Sequence, residues 1–374
     1  MPIPLSNFAP ALVLNLICPT VEQITDAINS QRENIACGPD EIPAAVLKRN
    51  VSIISIQLHH IFKLSKETRE FPDKWKVATV NPTYKKGPKN IVSNYRPISL
   101  LSIASKFLER FVYNQLSNHL NSNNFFSDNQ FGFRPKTATI DALLYLLNNL
   151  TKNLNTQPPV DTILVAFHLV KAFDKFSFQI ILSRLALLGL SSNVLKWFTS
   201  YLTNRFQQVR VGAALSTPTP VLSGVVQGSV LGALLFLIFI NELPTVVQLP
   251  ADSILFADDC TLYCPMASSD MPAVCQENIE KVCNWCTSNL MSLNANKCAW
   301  MFVSNIPSRA NNLQFTLGDS TTIAHEPSLI LLGLKVSSNL RWREHIEDVV
   351  LNCRKRLGAM YRQFKAIGTL SPAL

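Results

Sequence analysis

Ser253-Ile-Leu-Phe-Ala-Asp-Asp-Cys-Thr-Leu-Tyr263 is the stretch that decides the fold. Two apolar runs flank Phe256-Ala257-Asp258-Asp259, which predicts a strand, a tight turn and a second strand. Two adjacent carboxylates then sit at the turn. Burying one charge is costly, and burying two side by side is costlier. A divalent cation resolves this, because Mg2+ takes carboxylate and phosphate oxygens. An Asp-Asp turn lying in solvent is the plain alternative, and four residues do not separate the two.

Two-metal phosphoryl transfer needs a further carboxylate from a neighbouring strand, so that two ions clamp the attacking and leaving oxygens. Thr162–Leu169 supplies the strand, with Ile163, Leu164, Val165 and Phe167 as strand formers. Its tip carries His168 and no Asp. Asp161 lies seven residues upstream, roughly 23 Å along a strand and on its other face. Asp174 lies beyond the strand and remains a stand-in candidate.

Around these segments the pattern alternates helix and strand. Thr20-Val-Glu-Gln23 is a capping box opening a short helix, and Gly38-Pro39-Asp40 forces a turn. Helical stretches are predicted up to Arg69, over Ser102–His119, Thr139–Asn149 and Gln276–Leu293, and in a basic tail over 342–364. Val77–Thr83 is an extended segment, Asn94-Tyr95-Arg96-Pro97 a turn, and Gln207–Val211 with Thr217–Leu222 a hairpin around Gly212. Val230–Asn241 is a buried helix; Ala299–Val303 and Ile330–Val336 are late strands. The layout is α+β, with helices covering an antiparallel sheet.

The 374 residues are 47% hydrophobic and 16% charged, which excludes disorder for most of the chain. A formal charge of +9 is compatible with a polyanionic partner. The longest apolar run, Val230–Ile240, is too short to span a bilayer. Nine Cys at irregular positions and the absence of a secretory signal predict free thiols in an intracellular protein, nuclear or cytoplasmic. Cys283-x-x-Cys286 lacks a second matching pair and reads as core thiols on a helix.

Several residues could position a substrate. Lys85, Lys86 and Arg96 sit in turns of an apolar stretch; they either meet a triphosphate or template backbone or are ordinary surface cations. Gly224-Val-Val-Gln-Gly228 presents Gln227 on a loop whose glycines allow close approach of a ligand. Phe131 and Phe133, between Gln130 and Arg134, are core aromatics or a stacking platform for bases.

As an ordered set these segments resemble a known family. Gly38-Pro-Asp-Glu-Ile-Pro43, Tyr95-Arg-Pro-Ile-Ser-Leu100 and Gln130-Phe-Gly-Phe-Arg-Pro135 resemble the first blocks of non-LTR (LINE-like, jockey-like) retrotransposon reverse transcriptases. Lys171-Ala-Phe-Asp174, Ser223–Gly232, Phe256–Asp259, Leu293-Asn-Ala-Asn-Lys297 and Leu332-Gly333 resemble the later ones, and the set covers about residues 20 to 350.

The resemblance implies a right-hand polymerase fold. Residues 1–19 would be a leader, 20–160 the fingers with the first palm elements, 161–336 the palm with its antiparallel sheet, and 337–374 the start of a truncated thumb. It implies DNA synthesis on an RNA template from a DNA primer and dNTPs, with Mg2+ or Mn2+ as cofactor and no membrane. Asp258 and Asp259 take the role of metal ligands, and His168 stands where the family has another Asp. Lys297 resembles a lysine that assists pyrophosphate departure. Phe173 resembles the residue that excludes a 2′-hydroxyl, and Gln227 a nucleotide contact. Lys85 or Lys86, with Arg96, resemble the triphosphate-holding cations. Gln130, Phe131, Arg134, Gly228, Arg341 and Trp342 fall where the family meets nucleic acid.

This chain departs from the family at His168 above all, and mildly at Ala138, Val226, Ala233 and Glu242. The expectation is an impaired polymerase; the alternatives are a catalytically dead nucleic-acid-binding remnant and a maturase-like cofactor. Neither an endonuclease domain nor a Cys/His knuckle is expected within the sequence.

Overall fold

A computed structural model describes residues 8, 10, 12–306, 310, 312–318 and 320–366. Parts of the expected leader and of the expected thumb lie outside the described residues. Helices α1 (Val21–Ser30), α2 (Ala44–Arg49) and α3 (Val51–Thr68) come first, followed by strands β1 (Val77–Tyr84) and β2 (Tyr95–Leu100) and helix α4 (Ile103–Ser122). Helix α5 (Thr139–Leu154), strand β3 (Thr162–His168) and helices α6 (Ala172–Lys175), α7 (Phe178–Leu187) and α8 (Ser192–Leu202) come next. Strands β4 (Arg205–Val211), β5 (Ala214–Leu215) and β6 (Thr219–Val221) lead to α9 (Val230–Ile240), β7 (Asp252–Phe256) and β8 (Asp259–Pro265). The chain continues through α10 (Met271–Ser288), β9 (Ala299–Val303), β10 (Ala324–His325), β11 (Ser328–Leu331), β12 (Leu334–Ser337) and α11 (Arg343–Ala366).

The fold is α+β, with mixed sheets backed by helices. Two compact units alternate along the sequence. The first comprises Met1–Lys136, Leu169–Val246 and Asn284–Ser292; the second comprises Thr137–His168, Val247–Cys283 and Leu293–Leu374.

In the first unit, α9 is the core. Its sequence Val-Leu-Gly-Ala-Leu-Leu-Phe-Leu-Ile-Phe-Ile is apolar on every side, as a helix surrounded by protein must be, and Leu234–Ile240 are all buried. Helices α4 and α7 pack against it. The sheet of this unit runs β2-β1-β4-β5, with β6 also paired to β4. Strands β1 and β4 are parallel, with Val80 beside Val209, while β1 and β2 are antiparallel. The capping box of α1 forms as the sequence predicts: Thr20 Oγ1 accepts from Gln23 N, and Gln23 Oε1 accepts from Thr20 N at 2.9 Å.

Two local expectations are corrected. Asn94–Pro97 is not a turn throughout: a 3-10 turn ends at Asn94 and β2 begins at Tyr95, pairing Arg96 with Thr83 and Pro97 with Pro82. Proline is tolerated there because β2 is an edge strand. Ile330–Val336 is not one strand but the heart of the β11–β12 hairpin. Leu332 and Gly333 both take positive φ, 50° and 86°, the signature of a tight primed turn.

In the second unit a sheet of order β10-β9-β3-β8-β7 is antiparallel except between β10 and β9. Helix α5 buries Ala142, Leu143, Leu146 and Leu150 and packs on β7. Strand β3, at the centre, is buried along most of its length. Cys283 and Cys286 are buried on α10 and form no disulfide, as core thiols would. Among the described residues no helix is long and apolar enough to cross a membrane.

Candidate active site

The carboxylate turn arises from the β7–β8 hairpin. Phe256 pairs with Asp259, so Ala257 and Asp258 form a two-residue connection. Ala257 carries φ +58°, a conformation that disfavours a Cβ and that an L-residue holds only under tertiary constraint. The strain lies at the point where the two acids emerge.

Strand β3 lies beside β8, and its register places His168 directly opposite Asp259. Directly opposed residues of an antiparallel pair share a face and lie within side-chain reach. The side chains of residues 168 and 259 therefore share one face of this sheet. A loop then returns to the same spot. The Asn294 N–H donates to the His168 carbonyl at 2.8 Å, and the turn from Asn294 to Lys297 closes with Lys297 N donating to Asn294 O at 2.9 Å. That turn brings Lys297 Nζ to 3.4 Å from His168 Nε2. His168 N in turn donates to Cys298 Sγ at 3.4 Å.

His168, Asp259 and Lys297 line the rim of a cavity of about 130 Å³ whose walls include Leu143, Phe256 and Leu332. Burial, reinforced by the neighbouring Asp258 charge, holds the Asp259 carboxyl above the usual carboxylate range. Residue 259 remains exposed on its other side, and solvent there screens the pair. Among the described residues no cluster of three or more His, Cys, Asp or Glu side chains is arranged to hold a metal ion. Two carboxylates and an imidazole fit Mg2+ incompletely, because it prefers oxygen to imidazole nitrogen.

A second group of residues assembles in the first unit. The 223–229 loop is tied to the turn of α6 by three hydrogen bonds: Ser223 Oγ donates to Asp174 O at 2.9 Å, Gly224 N to Phe176 O at 2.9 Å and Val225 N to Phe173 O at 2.8 Å. Gly224 has φ +75°, and a Cβ there would lie 2.4 Å from Phe173 O. On its other side the loop meets β2: Ser99 N donates to Gln227 O at 2.8 Å, and a Cβ on Gly228 would lie 2.5 Å from Ser99 O. Gln227 Nε2 donates to Asp174 Oδ1 at 2.7 Å. Phe173 stacks on Phe236 with ring centroids 4.2 Å apart.

Of the other residues singled out in the sequence, Lys85, Lys86 and Arg96 are exposed at one end of the β1–β2 ribbon, where Lys85 N donates to Asn94 O at 2.9 Å. Gln130 is buried and its Oε1 accepts from Gly132 N at 2.7 Å. Arg134 donates to Ser127 O at 2.7 Å and lies over the Phe126 ring. Phe131 is half-buried, whereas Phe133 is 51% exposed and meets Phe173 edge-on at 6.0 Å. Arg341 and Trp342 stand just before α11 with exposed surface. The sequence leaves Phe133 between core and stacking platform and gives no sign of the contact of Asp174 with Gln227. The Gly224 and Gly228 pair was the available sign that the loop is pressed against other backbone.

The second unit thus carries an acidic hairpin turn beside a central strand, and the first unit carries a glycine-bounded loop presenting an amide. The family model for reverse transcriptase (RNA-dependent DNA polymerase) matches residues 84–336, and the chain belongs to that family. Within it the chain is of the non-LTR retrotransposon type, as its relatives show. It is 27% identical over 357 residues to the probable RNA-directed DNA polymerase from transposon BS of Drosophila melanogaster, covering 90% of this chain and 38% of that protein. It is 26% identical over 353 residues to the probable RNA-directed DNA polymerase from transposon X-element of the same species, covering 91% and 37%. To the RNA-directed DNA polymerase from mobile element jockey of that species it is 27% identical over 310 residues, covering 80% and 33%. The chain therefore spans well under half the length of these curated relatives.

Proposed function

We propose that this chain is the RNA-directed DNA polymerase domain of a non-LTR retrotransposon, descended from a two-metal nucleotidyl transferase and impaired at His168. The reading assigns a primer 3′-hydroxyl as nucleophile, a dNTP as substrate and an RNA template as guide, held in a fingers, palm and thumb arrangement. Asp258 and Asp259 would hold a divalent ion, Mg2+ or Mn2+, which when bound offsets the phosphate charge. Lys297 would stand near the departing pyrophosphate. Phe173 and Gln227 would contact the sugar and base region of the nucleotide. Lys85, Lys86 and Arg96 would meet its triphosphate or the template.

The observation that carries this reading is the register of His168 against Asp259. In place of a carboxylate shared by two cations, this copy has an imidazole that brings no negative charge. The ammonium of Lys297 beside it favours the companion reading, a nucleic-acid-binding remnant that retains the fold.

Primer extension on an RNA template with Mg2+ or Mn2+, comparing the parent chain with His168→Asp, tests the proposal. The expected result is a gain on the order of 10³-fold, the scale on which removing a group that stabilises transition-state charge is felt. Equal rates in the two chains would remove the role given to residue 168. A His168→Asp chain that binds primer–template yet extends nothing would leave only the remnant reading.

A further inference from the structure

We propose that Asp174 is a positioning residue that fixes which end of the Gln227 amide faces a nucleotide. The inference rests on the polymerase reading above and goes beyond it by assigning a role to Asp174.

A carboxylate oxygen can only accept, so the Gln227 atom 2.7 Å from Asp174 Oδ1 is the amide nitrogen. The assignment of the two ends of this amide therefore follows from chemistry. With Nε2 engaged, the other end, Oε1, accepts no hydrogen bond from the described residues. It is also not a buried orphan atom. Gln227 thus offers an acceptor outward.

The backbone around this pair leaves little freedom to reverse it. Ser223 and Val225 bind the carbonyls of Asp174 and Phe173, and Gln227 O accepts from Ser99 N. Gly224 and Gly228 press against Phe173 O and Ser99 O at distances no Cβ could share. These bonds tie the loop to the α6 turn, and Asp174 sets the rotation of the side chain upon it.

The chemical consequence is selective. Ionised phosphate oxygens are acceptors, so an outward-facing acceptor does not bind them. The donors a nucleotide carries are its sugar hydroxyl and the N–H groups of its base. The Oε1 acceptor thus suits the sugar or base end of a dNTP, the region that the polymerase reading already gives Gln227, and Asp174 is what turns that oxygen outward.

The test uses equilibrium binding of a dNTP to the full chain loaded with a chain-terminated primer on RNA. It is run for the parent, Asp174→Ala and Asp174→Asn, each with and without His168→Asp. Asp174→Ala should weaken dNTP binding by ~10-fold, the scale of one well-placed polar contact. Asp174→Asn keeps an acceptor oxygen and should restore most of it. Primer–template affinity should be unchanged in all variants.

A dideoxynucleotide should bind the parent and Asp174→Ala equally if the sugar hydroxyl is the partner. A base analogue lacking the facing N–H should do so if the base is. In steady-state extension by the His168→Asp chain, Asp174→Ala should raise KM and leave kcat nearly unaltered; a merely structural role would lower thermal stability without this split. If the His168→Asp chain extends primers and Asp174→Ala binds dNTP as tightly as its parent, the Asp174 assignment falls and the polymerase reading stands. If no form binds dNTP or extends a primer, both fall.

Discussion

Lys297 Nζ lies 3.4 Å from His168 Nε2, on the face that β3 shares with Asp259. An ammonium only donates, so the imidazole nitrogen accepts, and a cation already stands beside residue 168. Replacing His168 with Asp adds a third carboxylate opposite Asp259. That chain should gain about 3–5 °C in Tm at saturating Mg2+, because an ion that binds only the folded state stabilises it. The parent should respond less. Thermal melts with and without Mg2+ and Mn2+ decide the matter, and identical shifts for the two chains would contradict it.

Asp259 has a pH signature of its own. Its carboxyl is held above the ordinary value of 3.8 by burial and then by Asp258. A carboxyl raised in the folded state binds more protons there than in the unfolded chain. Stability is therefore lost as pH rises from the ordinary carboxylate value through the raised one. Asp259→Asn should stabilise the chain at neutral pH by about 0.5–1 kcal/mol, as relief at functional sites commonly does. The gain should vanish near pH 3. Urea melts across that range measure it.

Glu109 closes the N-terminus of α9 from within the core. Its Oε2 accepts from Val230 N at 2.8 Å, from Leu231 N at 3.1 Å and from Tyr201 Oη at 3.2 Å, and the residue is fully buried. Arg205 is buried too, with its Nε and Nη2 unpaired. Glu109→Ala should cost about 3–5 kcal/mol, because it leaves a buried cation and helix N–H groups uncompensated. Glu109→Gln keeps an accepting oxygen and should cost less than half as much. Chemical denaturation of the two variants provides the comparison.

Helix α5 carries half of a capping box. Asp141 Oδ2 accepts from Ala138 N at 2.7 Å, but Ala138 has no side-chain oxygen to return the bond. Ala138→Ser should supply it and stabilise the fold by about 1 kcal/mol. An unchanged denaturation midpoint would refute the missing half.

The sequence made some parts of this fold plain and hid others, for physical reasons. The β7–β8 turn was readable because strand formers bracket an acid pair, and α9 because eleven apolar residues have one interpretation at that length. Strand β2 was obscured by Pro97, which local rules read as a breaker and which an edge position tolerates. The β11–β12 turn was missed because Leu332 leads it, where such turns favour Asn or Asp. Parallel pairing of β1 with β4 depends on residues far apart in the chain, which no local pattern encodes. At the site, the position of residue 168 was legible from its block, while the bond from Gln227 to Asp174 exists only after tertiary folding. Gln130 gave no sign that its amide is consumed by Gly132 in its own loop.

The alternation of segments between the two units has a consequence for biosynthesis. A ribosome releases β1 long before β4, and β3 emerges between them before β8 and β9, its two sheet neighbours. The nascent chain must therefore carry two unfinished sheets at once, each with an unpaired edge open to other polypeptides. Premature termination before residue 292 leaves both units incomplete. Yield in cells should depend on chaperone supply and elongation rate more than on the final stability of either unit.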